Sequence, residues 1–358
     1  RKLMLSQKQL DEIKKSLNEA QNPLFFFDND VDGLSSFLIL RRYINRGKGV
    51  VIKSYPELNA TYLRKINEIN PDIIFILDKP VISEDFLEGA KQLGIRIIWI
   101  DHHQVQVTQK VLDMLEYYNP LLGKPSTSEP VSYWTYKSTQ KKEDEWISIL
   151  GCLADHYVPD FAVDFASQYE DIFFYGDPEK VLFESELGKL VKVISFALKD
   201  RTSFVFKMIK YLFQVKSPYE ILKRESKDAE FIYSRFERIN KRYVKIIDRA
   251  KKSGRKQGKI LFFSYRGDLS ISADISNELH YLFPSKFIVV AYVKESKTNI
   301  SLRSSNYMRD KDIDLRELKD KLLEGTDGTY GGHKYACGAS IPTEDLVKFK
   351  KNLFSLGI

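Results

Sequence analysis

The chain has 358 residues, 43% hydrophobic and 29% charged, which excludes extensive disorder and exceeds what one hydrophobic core ordinarily supports, so about two domains are expected. A net charge of +7 and a pI near 9.0 point toward a polyanionic partner, because cations gain affinity by displacing counterions from phosphates, although a basic composition also arises without one. No apolar run approaches the roughly 20 residues that span a bilayer, the opening Arg1-Lys2-Leu3-Met4-Leu5 turns polar at once, and Cys152 and Cys337 stand far apart, so a cytoplasmic protein with no membrane partner, disulfide framework or cysteine zinc site is expected.

A polar helix is expected over Ser6 to Ala20, and the continuous apolar run Leu24-Phe25-Phe26-Phe27 then reads as a strand covered on both faces. Asp28-Asn29-Asp30-Val31-Asp32-Gly33 follows as a loop, and Leu34 to Tyr43 suits a helix. Strand Val50 to Tyr55, helix Ala60 to Ile69, strand Ile73 to Leu77, helix Ser83 to Leu93 and strand Arg96 to Ile100 continue the alternation of a parallel α/β sheet. Three strands end in acids, at Asp28, Asp78 and Asp101, and ligands of open α/β sheets bind beyond the carboxyl ends of the strands, so these residues should converge at one edge.

From Phe161 to Lys252 only helical stretches are expected, such as Leu187 to Leu198 and Ala229 to Ala250, giving a helical connector over residues 191–256 after a catalytic domain over 1–190. The basic run from Lys245 to Lys259 is explained as well by a solvated hinge as by nucleic-acid contact. Strand Lys259 to Tyr265, helix Ser272 to Leu282, strand Phe287 to Lys294, strand Asn299 to Arg303 and helix Asp314 to Leu323 predict a second, smaller α/β domain over 257–358, with a cleft between the two domains.

Asp28, Asp30 and Asp32 would repel one another strongly unless a multivalent cation neutralised them. The competing explanation is a cap on the next helix, where acids are welcome, but a cap needs one acid rather than three. Asp101-His102-His103 directly after an apolar strand can place one imidazole on a metal and another toward a phosphate, and mixed oxygen and nitrogen donors suit manganese.

In order and spacing, Asp30-Val31-Asp32-Gly33, Asp78, Asp101-His102-His103 and Asp155, the last closing Gly151-Cys152-Leu153-Ala154-Asp155, resemble the four successive motifs of the DHH phosphoesterase superfamily. Ile300-Ser301-Leu302-Arg303-Ser304-Ser305 and Gly331-Gly332-His333-Lys334-Tyr335-Ala336-Cys337-Gly338 resemble the DHH-associated domain, so the likeness covers nearly the whole chain. It implies two divalent cations, manganese or else magnesium: Asp28, Asp30 and Asp78 would bind one, and Asp32, Asp78, His102 and Asp155 the other. It further implies His103 facing the scissile phosphate as a catalytic group, Asp101 orienting a histidine, and Arg303, Ser304, Gly331, Gly332 and His333 binding substrate, the two glycines letting the backbone approach it.

The activity implied is RecJ-like hydrolysis of single-stranded DNA or RNA from an end, with replication or repair proteins as partners. Two alternatives remain: a nanoRNase or cyclic-dinucleotide phosphodiesterase acting on very short substrates, and a non-catalytic replisome component of the same fold. The chain departs from the family pattern at Phe26, where many bacterial members carry histidine, and at Lys334-Tyr335, where proline and a small residue are common.

Overall fold

In the computed structural model, Leu24, Phe25, Phe26 and Phe27 are all buried, and they divide between two cores as the period of an extended chain requires. Phe25 and Phe27 face helix Val31–Ile44, where Phe27 stacks on Phe37 at 4.7 Å, while Leu24 and Phe26 join Ile74, Ile76, Phe86 and Trp99 on the other face. The structure describes residues 5–54, 57–124 and 126–357, in two compact units, Arg1–Glu237 and Arg238–Ile358. Arg1 to Met4, and Tyr55 at the end of the second expected strand, lie outside the described residues.

The strands of the first unit are β1 (Leu24–Asp28), β2 (Lys48–Ile52), β3 (Glu57–Leu58), β4 (Ile73–Leu77), β5 (Val81–Ile82), β6 (Arg96–Ile100) and β7 (Glu116–Tyr118). Five make a parallel sheet in the order β2-β1-β4-β6-β7, and β3 and β5 form a separate small pair. Phe27 pairs with Leu77, Leu77 with Ile100, and Ile100 with Tyr118, so Asp28, Asp78 and Asp101 each stand one residue past an aligned front. The sequence expectation of three acids converging on one sheet edge is therefore a matter of register.

Helices Val131–Thr139 and Glu145–Ala154 pack on helix Val31–Ile44 and on each other, and Gly151 permits the approach: a Cβ there would fall 2.4 Å from Ser132 Oγ and 2.9 Å from Ser35 Cβ. Helix Glu186–Leu198, which runs into the expected connector, and helix Thr202–Leu212, which lies within it, belong to the first unit. Arg42 ties them in, its Nε donating to Asp144 at 2.6 Å and its Nη1 to the carbonyls of Leu212 and Val215 at 2.7 Å. Lys245 to Lys256 is the end of a 30-residue helix, Lys227–Lys256, with Lys245, Arg249, Lys252, Arg255 and Lys256 exposed. No helix among the described residues is long and apolar enough to cross a membrane.

The second unit carries β8 (Ile260–Tyr265), β9 (Phe287–Val293), β10 (Lys297–Arg303), β11 (Thr329–His333) and β12 (Ala336–Pro342), ordered β11-β12-β10-β9-β8. Only β8 and β9 run parallel. Its core gathers Phe287, Val289, Ile300, Leu302, Met308, Phe349 and Leu353. Gly331, Gly332 and His333 are strand residues, and the reversal falls at Lys334-Tyr335.

Candidate metal centre

The loop after β1 divides its acids among different tasks. Asp30 caps helix Val31–Ile44, its Oδ1 accepting from the Gly33 N–H at 2.9 Å. The capping explanation thus holds for this one residue. Gly33 is required by crowding, since a Cβ would lie 2.7 Å from the Asp28 carbonyl oxygen. Asp32 is fully buried and accepts from the Val131 and Ser132 N–H groups at 2.8 and 2.9 Å, which fastens the start of helix Val131–Thr139 to the loop and sets positive backbone dipoles against its charge. Each oxygen keeps a second lone pair.

Asp78 adopts φ +58°, a left-handed conformation that non-glycine residues other than Asp and Asn rarely tolerate, and its N–H is held by the Ile100 carbonyl at 2.9 Å. Its Oδ1 is buried without a hydrogen bond, 3.4 Å from His102 Nε2 and 3.8 Å from His103 Nδ1. His102 Nδ1 faces the Ser128 carbonyl at 3.3 Å, which leaves Nε2 toward Asp78 and toward Asp155 Oδ2 at 3.2 Å. His103 is held twice by buried Asp101, whose Oδ1 meets Nδ1 at 2.7 Å and whose Oδ2 accepts the His103 N–H at 3.2 Å. Asn119, which the sequence did not mark, donates to the His103 carbonyl at 3.0 Å.

Donor atoms of Asp78, His102 and His103 lie within 4.8 Å of one another, as do those of Asp32, His102 and Asp155. Carboxylate and imidazole donors closing around an orphaned buried oxygen fit a divalent cation such as manganese or magnesium. Asp28 and Asp30 stand outside both groups. Asp28 instead accepts from Lys79 Nζ at 2.9 Å, and Lys79 is only 1% exposed. The sequence reading passed over Lys79, although a lysine directly after an apolar strand and its terminal acid was the available signal.

Electrostatics carry the same message. Asp30, open to solvent on one side but ringed by protein on the others, is raised to about 7 by lost hydration and then by repulsion from Asp28, Asp155 and Asp32, against the Gly33 N–H. Burial, then Asp155, raises Asp32 to about 6, while His102 and Ser132 oppose the rise. Burial and the neighbouring Asp30 and Asp32 push Asp78 well above the carboxylate range. Burial favours neutral His102, but the nearby carboxylates of Asp155 and Asp78 prevail and hold its pKa well above the ordinary value. His103 is likewise raised by Asp101 in spite of burial. Such a cluster retains protons or gains cations; it does not carry its full negative charge alone.

An Asp101→Asn variant should weaken the charged hold on the His103 ring and cost about 10- to 100-fold in any activity that depends on that ring. Metal affinity measured by calorimetry should stay within a few-fold. A fall in affinity matching the fall in activity would show that Asp101 serves the cation instead.

In the second unit, Arg303 and His333 lie opposite the same residue, Ala336, on the two sides of β12. Directly paired residues share a face and neighbouring strands lie ~4.8 Å apart, so both side chains leave one face of the sheet with Ala336 between them. Arg303 Nε donates to Asn277 Oδ1 at 2.6 Å, and buried Ser304 accepts from Arg309 Nε at 3.2 Å. Gly332, at φ +143°, faces the Ala336 carbonyl, which a Cβ would meet at 2.5 Å.

The model of the DHH family N-terminal domain matches residues 24–154, and that of the DHHA1 domain matches residues 257–356. No curated protein matches the chain by sequence. Among solved structures, a DHH-domain protein described as a member of the s1p family of ribosomal proteins is 14% identical with a TM-score of 0.71, over 97% of this chain and 89% of that one. RecJ in complex with Mn2+ from Thermus thermophilus is 15% identical with a TM-score of 0.63, over 98% of this chain and 54% of that one. A pGpG-specific phosphodiesterase from Vibrio cholerae is 14% identical with a TM-score of 0.52, over 94% and 98%. At these identities the likeness is one of fold, and it agrees with both family matches: the chain belongs to the DHH superfamily and carries a C-terminal DHHA1 domain.

Proposed function

We propose that this chain is a metal-dependent phosphodiesterase that removes nucleotides from the end of single-stranded DNA or RNA. The observation that carries the reading is the buried, unbonded Asp78 Oδ1 between two histidines, at a sheet edge where three acids align. Asp32, Asp78, His102 and Asp155 would hold one divalent cation and Asp28, Asp30 and Asp78 a second, manganese in the first instance. Bound there, the cations would supply Lewis-acid polarisation of the phosphoryl group and a nucleophile at neutral pH.

The protein's own groups do the rest. His103, fixed by Asp101, keeps a proton for the charge that develops on the phosphoryl oxygens. Arg303 offers a planar fork to a substrate phosphate and His333 a second donor from the same sheet face. The likeness to a manganese-bound structure described as the exonuclease RecJ and the excess of basic residues support a nucleic-acid substrate. A substrate as short as a dinucleotide is the second reading, favoured by the likeness to the pGpG-specific enzyme. A non-catalytic replisome component would have no use for a complete set of carboxylate and imidazole donors.

The test is hydrolysis of end-labelled single-stranded DNA and RNA, from dinucleotides upward in length, with manganese or with EDTA. Activity should require manganese and fall at least about 100-fold in Asp155→Ala. Equal turnover by the wild type and this variant, or turnover indifferent to EDTA, would end the proposal. Preference for dinucleotides over longer strands would select the second reading.

A further inference from the structure

Lys79 is the charged group that the two-cation scheme leaves unexplained. Its side chain is among the largest fully buried ones in the molecule, and its ammonium donates to Asp28 Oδ1 and to the Ser54 carbonyl, each at 2.9 Å. The position is built. Trp99 Nε1 donates to the Lys79 carbonyl at 2.8 Å, Trp99 stacks on Tyr117 at 4.1 Å, and the preceding residue is the left-handed Asp78. Neither of the groups of donors that close around a common point includes Asp28.

We propose that Lys79 is a built-in cation that makes the two metal sites unequal. One ion binds tightly among Asp32, Asp78, His102 and Asp155, whereas the ion assigned to Asp28, Asp30 and Asp78 binds weakly. This rests on the metal-dependent reading above. A carboxylate that already holds an ammonium at 2.9 Å has part of its charge answered, and a doubly charged ion sharing it meets that ammonium at close range in a poorly screened interior. Asp32, His102 and Asp155 instead bring two carboxylates and an imidazole within 4.8 Å of one another, with His102 Nε2 also 3.4 Å from Asp78 Oδ1. The consequence is an enzyme that keeps one ion at rest and gains the other at high metal concentration or together with the anionic charge of a substrate phosphate.

Manganese binding read by calorimetry and by electron paramagnetic resonance, without substrate, tests this. In the wild type one ion should bind at least tenfold more tightly than the second, and the spectrum at one equivalent should lack spin coupling between ions. In Lys79→Met and Lys79→Gln the weak site should tighten at least tenfold, with coupling growing in at two equivalents. Two equally tight ions in the wild type, or an unmoved weak site in a variant shown by circular dichroism to be folded, would overturn the proposal alone. A wild type that binds no manganese would overturn it together with the metal-dependent reading. Should both variants misfold, the ratio of the two wild-type affinities decides.

Discussion

An Asp78→Asn variant is expected to lose activity by at least about 1,000-fold while its metal-free form melts a few degrees higher than the wild type. Both halves follow from one side chain. The carboxylate is buried, carries an oxygen without a hydrogen bond and is pressed by Asp30 and Asp32, so in the metal-free state its charge opposes folding. Asparagine has the same size and tolerates the left-handed backbone at φ +58° that Asp78 adopts, so the turn survives while the repulsion disappears. The amide, however, cannot supply the negative charge needed to hold a divalent cation between His102 and Asp155. Relief of about 1–2 kcal/mol would raise the melting temperature by about 2–8 °C in a unit of this size. A variant that was inactive and also less stable would mean that Asp78 is a structural residue; an active, more stable one would remove it from the metal site.

Stability and activity moving in opposite directions is the mark of a site held against its own preference. It also bears on what could be read from the sequence. The parallel sheet was legible because apolar runs alternate with amphipathic helices, and the acids at 28, 78 and 101 were legible because each follows such a run. Their alignment is a consequence of register that strand positions alone suggest. The double bond from Asp32 to the start of helix Val131–Thr139 spans about a hundred residues and leaves no local pattern, and that helix went unassigned. Arg42 with Asp144 is hidden for the same reason, and with it the attachment of helices that composition alone presents as a connector. Glu116–Tyr118 is too short and too polar to announce itself as a strand. The pairing of Gly331 and Gly332 with β12 runs against the ordinary meaning of two adjacent glycines, because glycine weakens strands and favours turns. Lys79 shows the limit most clearly: a lysine beside an acid is read as a solvated pair unless burial is known, and here it is interior.

The second large expectation concerns pH. Metal-free protein should lose stability as pH rises from about 4 to about 8, and manganese should restore it by an amount that grows over the same interval. Asp30 and Asp32 are raised from 3.8 to about 7 and about 6 in the folded protein, and Asp78 is raised too, so between the unfolded and folded values the folded chain binds more protons than the unfolded one. Stability therefore falls with rising pH across that window. His102 and His103, raised above 6.5 in the fold, act in the same direction: their contribution is complete below the unfolded value and is lost as pH climbs through the folded ones. A divalent cation reverses the slope because it binds the deprotonated carboxylates that the folded protein otherwise resists forming, and at pH 5 protons hold those positions against it. At a hundred times its dissociation constant an ion contributes about 2.7 kcal/mol, which for a unit of this size is about 5–10 °C in melting temperature at pH 8, against little change at pH 5. Thermal melts in EDTA and in manganese across pH 5 to 8 read this difference directly. A manganese shift that is the same at both ends of the range would mean that the ion binds away from Asp30, Asp32 and Asp78, since no other arrangement of these acids escapes competition with protons.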